Sequence, residues 1–307
     1  MADNTAHDKI KSRTKLPSKP TYRPSPTRRS RRTKSDVKSL ELAIYSLLRF
    51  EHPMTLRQLF YRLVSAGEIE KSEREYKAIG HRLTLMRRSG AVPYSWMADS
   101  TRWMRKPETY TGVEHALEQT ARYYRRALWH DQEAYVEVWC EKEALAGVLV
   151  EETDRYDVPL MVTRGYPSLT YLYSAAETIS YQDRPAYLYY FGDHDPSGVD
   201  IPKMVHGNIR EMAPDAEIHF QRVAVNVEQI AGLGLPTRPT KKTDTRAKTF
   251  KGESVEVDAI PPLVLREMVR DCIEQHLPTD ALAINEAAEE SERAILRRLA
   301  GMAGDGA

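Results

Sequence analysis

Apolar positions recur every three to four residues through the first part of the chain, between about residues 36 and 130. This spacing is typical of amphipathic helices, and residues that commonly cap or end a helix flank each stretch. The pattern predicts four helices: one capped by Ser35 and Asp36 and running to about Phe50, one that begins after Thr55 and ends at Gly67, one from about residue 72 to residue 88, and one from about Val113 to Trp129.

Three short helices followed by an extended, tryptophan-rich segment favour a winged-helix or helix-turn-helix DNA-binding domain. The third helix carries four basic residues that would contact the DNA: Lys77, Arg82, Arg87 and Arg88. Arg62 on the second helix is a further candidate for a phosphate contact, and the stretch 96–103 is a candidate wing. An ordinary helical bundle with solvated charges explains the same pattern.

The second part of the chain alternates between strand and helix patterns. Short apolar runs predict strands at residues 135–140, 159–163, 186–191 and 217–225, with helical patterns at 143–155, 168–179 and 197–212 between them. Strands that alternate with helices predict βαβ units and a mainly parallel sheet. The expected fold class is therefore α/β, with an N-terminal helical winged-helix domain before the sheet and an amphipathic helix at about 279–300 after it.

Carboxylates follow two of the predicted strands. Glu141 comes directly after the first strand, and Asp193 and Asp195 follow the third. In parallel sheets functional groups gather beyond the carboxyl ends of the strands, so we expect these side chains at one rim. Their oxygens suit Mg²⁺, or Mn²⁺ in its place. The alternative is a polar turn whose aspartate caps the next helix, and His194 is expected to face outward or to be structural.

Composition excludes several classes of protein. The chain has 307 residues, of which 41% are hydrophobic and 29% charged, enough for a core and for two ordinary domains. No apolar run approaches the roughly 18 residues of a membrane-spanning helix. The basic N-terminus lacks the apolar segment of a secretory signal, and two cysteines are too few for a disulfide framework, which fits a cytoplasmic protein. No glycine-rich nucleotide-binding fingerprint follows a strand, so no ATP site is expected.

The net charge of +1 conceals a basic front and an acidic back. Residues 1–40 carry 12 Lys and Arg against 3 Asp and Glu, residues 41–130 carry 15 against 10, and residues 131–307 carry 18 against 31. The basic, proline-containing arm over 1–35 is expected to be disordered, and it is either a solubilising tail or a contact for nucleic-acid phosphates. A basic stretch at 232–252, including Lys241 and Lys242, is either a DNA contact or a solvated loop.

Several motifs resemble those of a known family. Two resemble the signatures of the TOPRIM domain of topoisomerases, primases and some nucleases, namely Glu141-Lys142 and the run from Asp193 to Gly198. Three more resemble one branch, the A subunit of topoisomerase VI and its meiotic double-strand-break relatives: Arg57-Gln58-Leu59-Phe60-Tyr61, Gly165-Tyr166-Pro167 and the run from Val255 to Pro262. That branch places a winged-helix domain before the TOPRIM domain, and the resemblance covers about residues 36–280.

The resemblance implies a DNA-breaking transesterase. Its nucleophile would be Tyr61, whose oxygen becomes linked to a 5′ DNA end, with Arg57 as a phosphate contact one helical turn earlier. Glu141, Asp193 and Asp195 would hold Mg²⁺, and Glu141 is also a candidate for proton transfer. The implied partners are double-stranded DNA, a second protomer that shares its tyrosine across a homodimer, and a separate ATPase subunit of the B type for strand passage. The implied location is the nucleoid.

Other interpretations remain open. From its helix alone, Tyr61 is a core aromatic beside Phe60. A hydrolytic TOPRIM nuclease would keep the metal without using the tyrosine, and a non-catalytic DNA-binding or assembly protein would use neither. The expected organisation is a basic arm over 1–35, a winged-helix DNA-binding domain over 36–130, a TOPRIM-like domain over 131–280, and a C-terminal helix and tail over 281–307.

Overall fold

The structure is a computed structural model, and it describes residues 32–98, 107–239, 250 and 252–304. Most of the basic arm, the later part of the candidate wing, and Lys241 and Lys242 lie outside the described residues. What the sequence predicts for them therefore stays a prediction.

Three helices open the described chain, at the places that the apolar spacing predicts: α1 (Lys34–Glu51), α2 (Leu56–Ser65) and α3 (Glu73–Arg88). Thr55 caps α2, because its hydroxyl accepts a hydrogen bond from the backbone N–H of Gln58 at 3.1 Å. Ser72 caps α3 in the same way through the N–H of Glu75. Such caps satisfy backbone donors that the first helical turn leaves free.

The start of α1 differs from the prediction. Its cap is Thr33, and Asp36 completes a capping box by accepting from the backbone N–H of Thr33 at 2.8 Å. The prediction is wrong for Ser35, since the N-cap is Thr33, and it is confirmed for Asp36, which is the acid of the capping box.

Helix α4 (Val113–Tyr123) ends six residues before the predicted end at Trp129. Contacts with the C-terminal helix account for the early end. The hydroxyl of Tyr124 donates to Glu292 at 2.7 Å, and the Tyr124 carbonyl accepts from the guanidinium of Arg293 at 2.7 Å. The Tyr124 carbonyl bonds to Arg293 and does not continue the hydrogen bonding of α4, so tertiary contacts override the local helical pattern here.

The segment after α3 forms a 3₁₀ turn at Tyr94–Trp96 and a single bridge between Met54 and Met97. Its described part, residues 91–98, contains no two-stranded wing. The assignment of this region as a winged helix therefore stays a prediction.

The second part of the chain forms a four-stranded parallel sheet, which confirms the α/β class. The strand order is β2-β1-β3-β4, and the strands are β1 (Tyr135–Cys140), β2 (Leu160–Val162), β3 (Ala186–Phe191) and β4 (Ile218–Ala224). The remaining helices are α5 (Glu143–Arg155), α6 (Leu169–Ser180), α7 (Pro196–Met212), α8 (Val227–Gly232), α9 (Pro262–Glu274) and α10 (Ala281–Gly304). The bounds of β1, α5 and β3 agree with the prediction residue for residue.

Apolar side chains cover both faces of the sheet. On one face, Val136 and Val138 join a buried cluster that continues through α5 and α9 into α1, α2 and α3. On the other face, Trp139 and Tyr190 pack with α6 and α7. The helical front of the chain is therefore packed onto the sheet through a continuous core. Within the described residues, no helix has the length and apolar character needed to cross a membrane.

Candidate functional site

The carboxyl ends of β1 and β3 bring Glu141 and Asp193 together. The two strands are paired in parallel up to Cys140 and Phe191, so the residues that follow leave the sheet at the same rim. The Glu141 Oε2 atom accepts a hydrogen bond from the backbone N–H of Asp193 at 3.0 Å. This rim is where parallel α/β sheets place their functional groups.

Gly192 makes this contact possible. A Cβ atom at this position would lie 2.5 Å from Glu141 Oε2 and 2.6 Å from Cε1 of Tyr190. Both distances are well inside van der Waals contact, so only a residue without a side chain lets Glu141 lie against the turn.

Asp195 has the structural role that the sequence left open as an alternative. It caps α7, and its Oδ1 atom accepts from the backbone N–H of Gly198 at 2.8 Å. Its second oxygen, Oδ2, lies 3.5 Å from the guanidinium of Arg238. Asp195 thus uses one oxygen for the helix and keeps the other at the rim.

The pKa of the Glu141 carboxyl group is raised above its ordinary value. Burial raises its pKa, and the negative charges of Asp193 and Asp195 raise it further, while the N–H of Asp193 and the charge of Lys142 lower it. The net result is a pKa of about 7. A carboxyl group with this pKa can accept and release a proton near neutral pH.

Lys142 lies among three carboxylates. Its Nζ atom is 2.6 Å from Asp258 Oδ2, 3.0 Å from Asp193 Oδ1 and 3.2 Å from Glu256 Oε2. Burial opposes the charge of the ammonium group, but the three carboxylates outweigh burial and raise the pKa of Lys142. The ammonium group stays charged and neutralises part of the acidic cluster.

Three further residues of the site, Lys142, Glu256 and Asp258, were not predicted as site residues, although the motifs that support the family resemblance contain all three. Lys142 directly follows Glu141 in the chain, whereas a long-range pairing brings Glu256 and Asp258 to the rim. Val255 exchanges two backbone hydrogen bonds with His194, at 2.8 and 2.9 Å, and so sets the next residues beside Asp193. The alternation Val255-Glu256-Val257-Asp258 was the available signal, since it places two acids on one side of an extended segment.

His194 is itself buried, with 8% of its surface exposed. Its ring lies 5.1 Å from the ring of Phe250, measured between centroids. The expectation that it could face outward is wrong, because its backbone is paired with Val255 and carries the side chain inward. The structural role is the one that the fold supports.

Arg57 connects the helical front of the molecule to the rim. Its Nη1 atom donates to Glu256 Oε2 at 2.6 Å, and Arg238 contacts the other oxygen, Oε1, at 2.9 Å. Burial alone would raise the pKa of Glu256, but Lys142, Arg57 and Arg238 together lower it to about 2. The Arg57 side chain is still 45% exposed, so part of its guanidinium remains open to a ligand.

Tyr61 is a buried side chain with 4% of its surface exposed. It packs beside Phe60, with ring centroids 5.4 Å apart, and the ammonium group of Lys71 lies 5.2 Å from its ring centre. Burial and the carboxylate of Glu256 raise the pKa of Tyr61 to about 12. The charge of Glu256 therefore affects the pKa of the phenol, and the phenol is protonated at neutral pH in this arrangement.

The basic residues that the sequence predicts as DNA contacts differ in their neighbours in the structure. Arg62 makes a bidentate pair with Glu51, with contacts of 2.9 and 2.6 Å. Arg82 pairs with Glu41 at 3.1 Å, Lys77 with Glu73 at 3.0 Å, and Arg88 is exposed in the last turn of α3. The Arg87 guanidinium carbon lies 4.5 Å from the centre of the Tyr94 ring. Their role in DNA binding stays a prediction.

A cleft of about 870 Å³ separates α2 and α3 from the rim. The rim supplies Glu141, Lys142, Asp193, Glu256 and Asp258 to its lining, and the helical side supplies Arg57, Tyr76, Thr84 and Arg87. One wall is thus mainly acidic, and the facing wall carries Arg57, which is exposed, and Arg87, which is half-buried. This arrangement suits a phosphate backbone, with cations for the phosphates and carboxylates for a metal ion.

The carboxylates at the rim fit a hard divalent cation. Glu141, Asp193 and Asp195 offer oxygen donors only. Burial first, and then the charges of Asp193 and Asp195, raise the pKa of Glu141, and a cation would relieve the repulsion among the three carboxylates. Within the described ranges, no three His, Cys, Asp or Glu side chains are grouped so that they could together hold a metal ion. An open arrangement suits Mg²⁺, which usually takes one or two carboxylates and completes its shell with water and phosphate oxygens.

Comparison with known proteins identifies no relative, since no protein-family model and no curated protein matches the chain.

Proposed function

We propose that the protein is a Mg²⁺-dependent DNA-breaking enzyme of the topoisomerase VI A type, with a winged-helix front and a TOPRIM-like sheet domain. The observation that carries the proposal is the cleft, because it sets Arg57 and Arg87 opposite Glu141 and Asp193. Cations on one wall and carboxylates on the other match a reaction at a DNA phosphate.

Glu141, Asp193 and Asp195 would hold the metal ion. When bound there, Mg²⁺ would stabilise the negative charge that develops on the phosphate. Lys142 holds Asp193 in place through an ion pair, in which the Lys142 Nζ atom lies 3.0 Å from Asp193 Oδ1. The exposed part of the Arg57 guanidinium would bind a phosphate oxygen, which arginine does with well-defined geometry.

In the transesterification, the Tyr61 oxygen bonds to phosphorus, the bond to the 3′ oxygen breaks, and a 3′-hydroxyl strand end leaves. The phenol proton must pass to a base, and Glu141, with its pKa of about 7, suits that role. As in the family, the tyrosine would serve the metal site of a second protomer in a homodimer. Strand passage would need a separate ATPase subunit, and the DNA partner would place the protein in the cytoplasm at the nucleoid.

The test is a search for a covalent adduct. The chain is incubated with 5′-labelled and 3′-labelled duplex DNA and Mg²⁺ or Mn²⁺, then denatured, and we expect protein linked to a 5′ end. Tyr61→Phe should abolish the adduct, with Tyr181→Phe, a tyrosine 78% exposed on the surface, as the matched control. Cleaved DNA without any adduct would contradict the transesterase.

Loss of the metal site should affect cleavage itself. Glu141→Gln and Asp193→Asn should each reduce it by about a thousandfold, since charge stabilisation by a metal is worth several kcal/mol. Glu118→Gln, at an exposed position on α4, is the control. Unchanged cleavage in both rim variants would rule out the proposed metal site.

The burial of Tyr61 favours a second candidate, a hydrolytic nuclease with the same metal site. In that enzyme water replaces the phenol, and Tyr61 is a core aromatic. Tyr61→Phe would then cut DNA as the parent chain does, while Glu141→Gln would not. A non-catalytic DNA-binding or assembly protein would bind DNA with full affinity, but it would not cut the DNA whichever metal ion was added.

A further inference from the structure

The helical wall of the cleft carries apolar groups as well as cations. The apolar positions lie on α2, on α3 and in the segment after α3, and they are Leu56, Gly80, Leu83, Met97 and Ala98. A closed DNA duplex presents phosphates and sugars to such a wall, because its base faces are stacked inside and only base edges are open in the grooves. An unpaired strand presents phosphates and apolar base faces together. The mixed wall therefore suits an unpaired strand better than a closed duplex.

One face of α3 supplies much of this wall. Five of its residues line the cleft at intervals of one to four positions that return to the same side of the helix: Tyr76, Gly80, Leu83, Thr84 and Arg87. At 1.5 Å per residue, the face is about 17 Å long from Tyr76 to Arg87. Successive phosphates of one strand are about 3.4 Å apart, so the face has room for about five nucleotides of a stacked strand.

An arginine lies over an aromatic ring at each end of this face. The Cζ atom of Arg57 is 5.6 Å from the centre of the Tyr76 ring, and that of Arg87 is 4.5 Å from the centre of the Tyr94 ring. Tyr94 is 61% exposed, so much of its ring is open to a further stacking partner. Unpaired bases stack on aromatic rings and on guanidinium planes. The two pairs are therefore suitable platforms for bases.

The rim opposite the platforms suits the phosphates of the same strand. With the bases against the helical wall, the backbone of the strand faces Glu141 and Asp193, where a metal ion would lie beside the scissile phosphate. The N–H groups of Arg57 lie in the plane of its guanidinium, so a base can stack on that plane while the edge contacts a phosphate. Stacking is thus compatible with the phosphate contact that the proposed function gives to Arg57.

We infer that the cleft takes an unpaired DNA strand, whose bases stack on the pairs Arg87–Tyr94 and Arg57–Tyr76 and whose phosphates face the rim. A duplex substrate would enter through a stretch in which its strands are separated. The inference rests on the proposed function, from which it takes DNA as the ligand of the cleft, and it adds the kind of DNA that reaches the metal site.

DNA binding without catalysis tests the inference. Fluorescence anisotropy of the full chain in EDTA compares three labelled DNAs of one sequence: a single strand, a closed duplex, and a duplex with about five mismatched base pairs at its centre, the length that the α3 face can hold. Stacking of one base strengthens binding by about 5- to 150-fold. We expect the single strand and the mismatched duplex to bind at least about tenfold more tightly than the closed duplex. Equal or tighter binding of the closed duplex overturns the inference.

Variants of Tyr94 test the platform itself. Tyr94→Ala should weaken binding of the single strand and the mismatched duplex about tenfold and leave binding of the closed duplex unchanged. Tyr94→Phe keeps the ring and should bind as the parent chain does. Tyr181→Ala, at a side chain 78% exposed after α6, is the matched control. Circular dichroism checks that each variant is folded. No loss of binding in Tyr94→Ala, or an equal loss for all three DNAs, overturns the inference.

Cleavage in Mg²⁺ or Mn²⁺ separates this inference from the proposed function. A chain that binds unpaired DNA through Tyr94 but cuts none of the three DNAs contradicts the proposed enzyme and supports the inference. A chain that binds and cuts the closed duplex as well as the mismatched one overturns the inference and leaves the proposed enzyme standing.

Discussion

At the scale of single residues, Gly192 is the position where the smallest change should disturb the rim most. Gly192→Ala would push a methyl group against Glu141 Oε2 and the Tyr190 ring. We expect a decrease of about 1–3 kcal/mol in unfolding free energy, as for other overpacked sites, and a loss of DNA cleavage. Urea denaturation and a nicking assay measure the two effects.

Gly207→Ala is the matched control for this change. Gly207 lies in α7, and the methyl group of an alanine there would have no atom of another part of the protein within 4 Å, so the substitution should stabilise the helix by up to about 1 kcal/mol. If Gly192→Ala behaves like Gly207→Ala, the close approach of Glu141 to the turn is not required.

Glu256 should make the stability of the protein sensitive to acid. Its pKa is lowered from 4.5 to about 2 in the folded protein, so its charged form stabilises the fold. This contribution is complete above about pH 4.5, amounts to about 3 kcal/mol, and is lost as the pH falls toward 2. Glu256→Gln should therefore be less stable at neutral pH and should lose less stability on acidification.

Urea titrations of both chains between neutral pH and about pH 3 measure this difference. The control is Glu118→Gln, whose side chain is exposed on α4. Parallel stability curves for the parent chain and Glu256→Gln would show that the contacts of Glu256 with Lys142, Arg57 and Arg238 contribute no net stability.

At the scale of elements, helix α2 positions Arg57 through its first turn. Thr55→Ala removes the hydroxyl that caps the helix and should cost about 1 kcal/mol. Thr33→Ala removes the equivalent cap of α1 and should cost a similar amount. Only Thr55→Ala should also weaken binding of duplex DNA, because α1 contributes no residue to the lining of the cleft that the structure describes. Fluorescence anisotropy would show equal binding by both variants if α2 did not hold the DNA contact.

The elements that could be predicted from the sequence are those whose bounds are set by their own residues and immediate neighbours. β1, α5 and β3 have strong apolar patterns bounded by polar residues, so their bounds followed from the pattern alone. α4 ends early because Tyr124 and Arg126 contact α10, which no local pattern reveals. The alternation of Val255 to Asp258 indicates two acids on one side of a segment. Glu256 and Asp258 reach the site through the pairing of Val255 with His194, and the sequence alone does not reveal that pairing partner.

At the scale of the whole molecule, charge is separated along the chain and again across the cleft. The first 130 residues contribute 27 Lys and Arg against 13 Asp and Glu, and the remainder 18 against 31. The helical front therefore supplies Arg57 and Arg87 to the cleft, and the sheet domain supplies the carboxylates together with Lys142. Folding sets the two parts against each other, so that, under the proposed function, a near-neutral protein would present a basic wall to phosphates and an acidic wall to a metal ion.

The basic arm should add to DNA binding without adding to the stability of the fold. Removal of residues 1–31 takes away nine Lys and Arg but keeps Arg32, whose guanidinium pairs with Glu75 at 2.6 Å. If the arm binds phosphates, the truncated chain should bind duplex DNA more weakly, and the slope of log K against log salt should fall by about 0.9 for each phosphate that the arm had neutralised. The melting temperature should not change. A full-length chain with the nine residues replaced by Gln controls for length and should match the truncation. A slope equal to that of the parent chain would instead identify the arm as a solubilising tail.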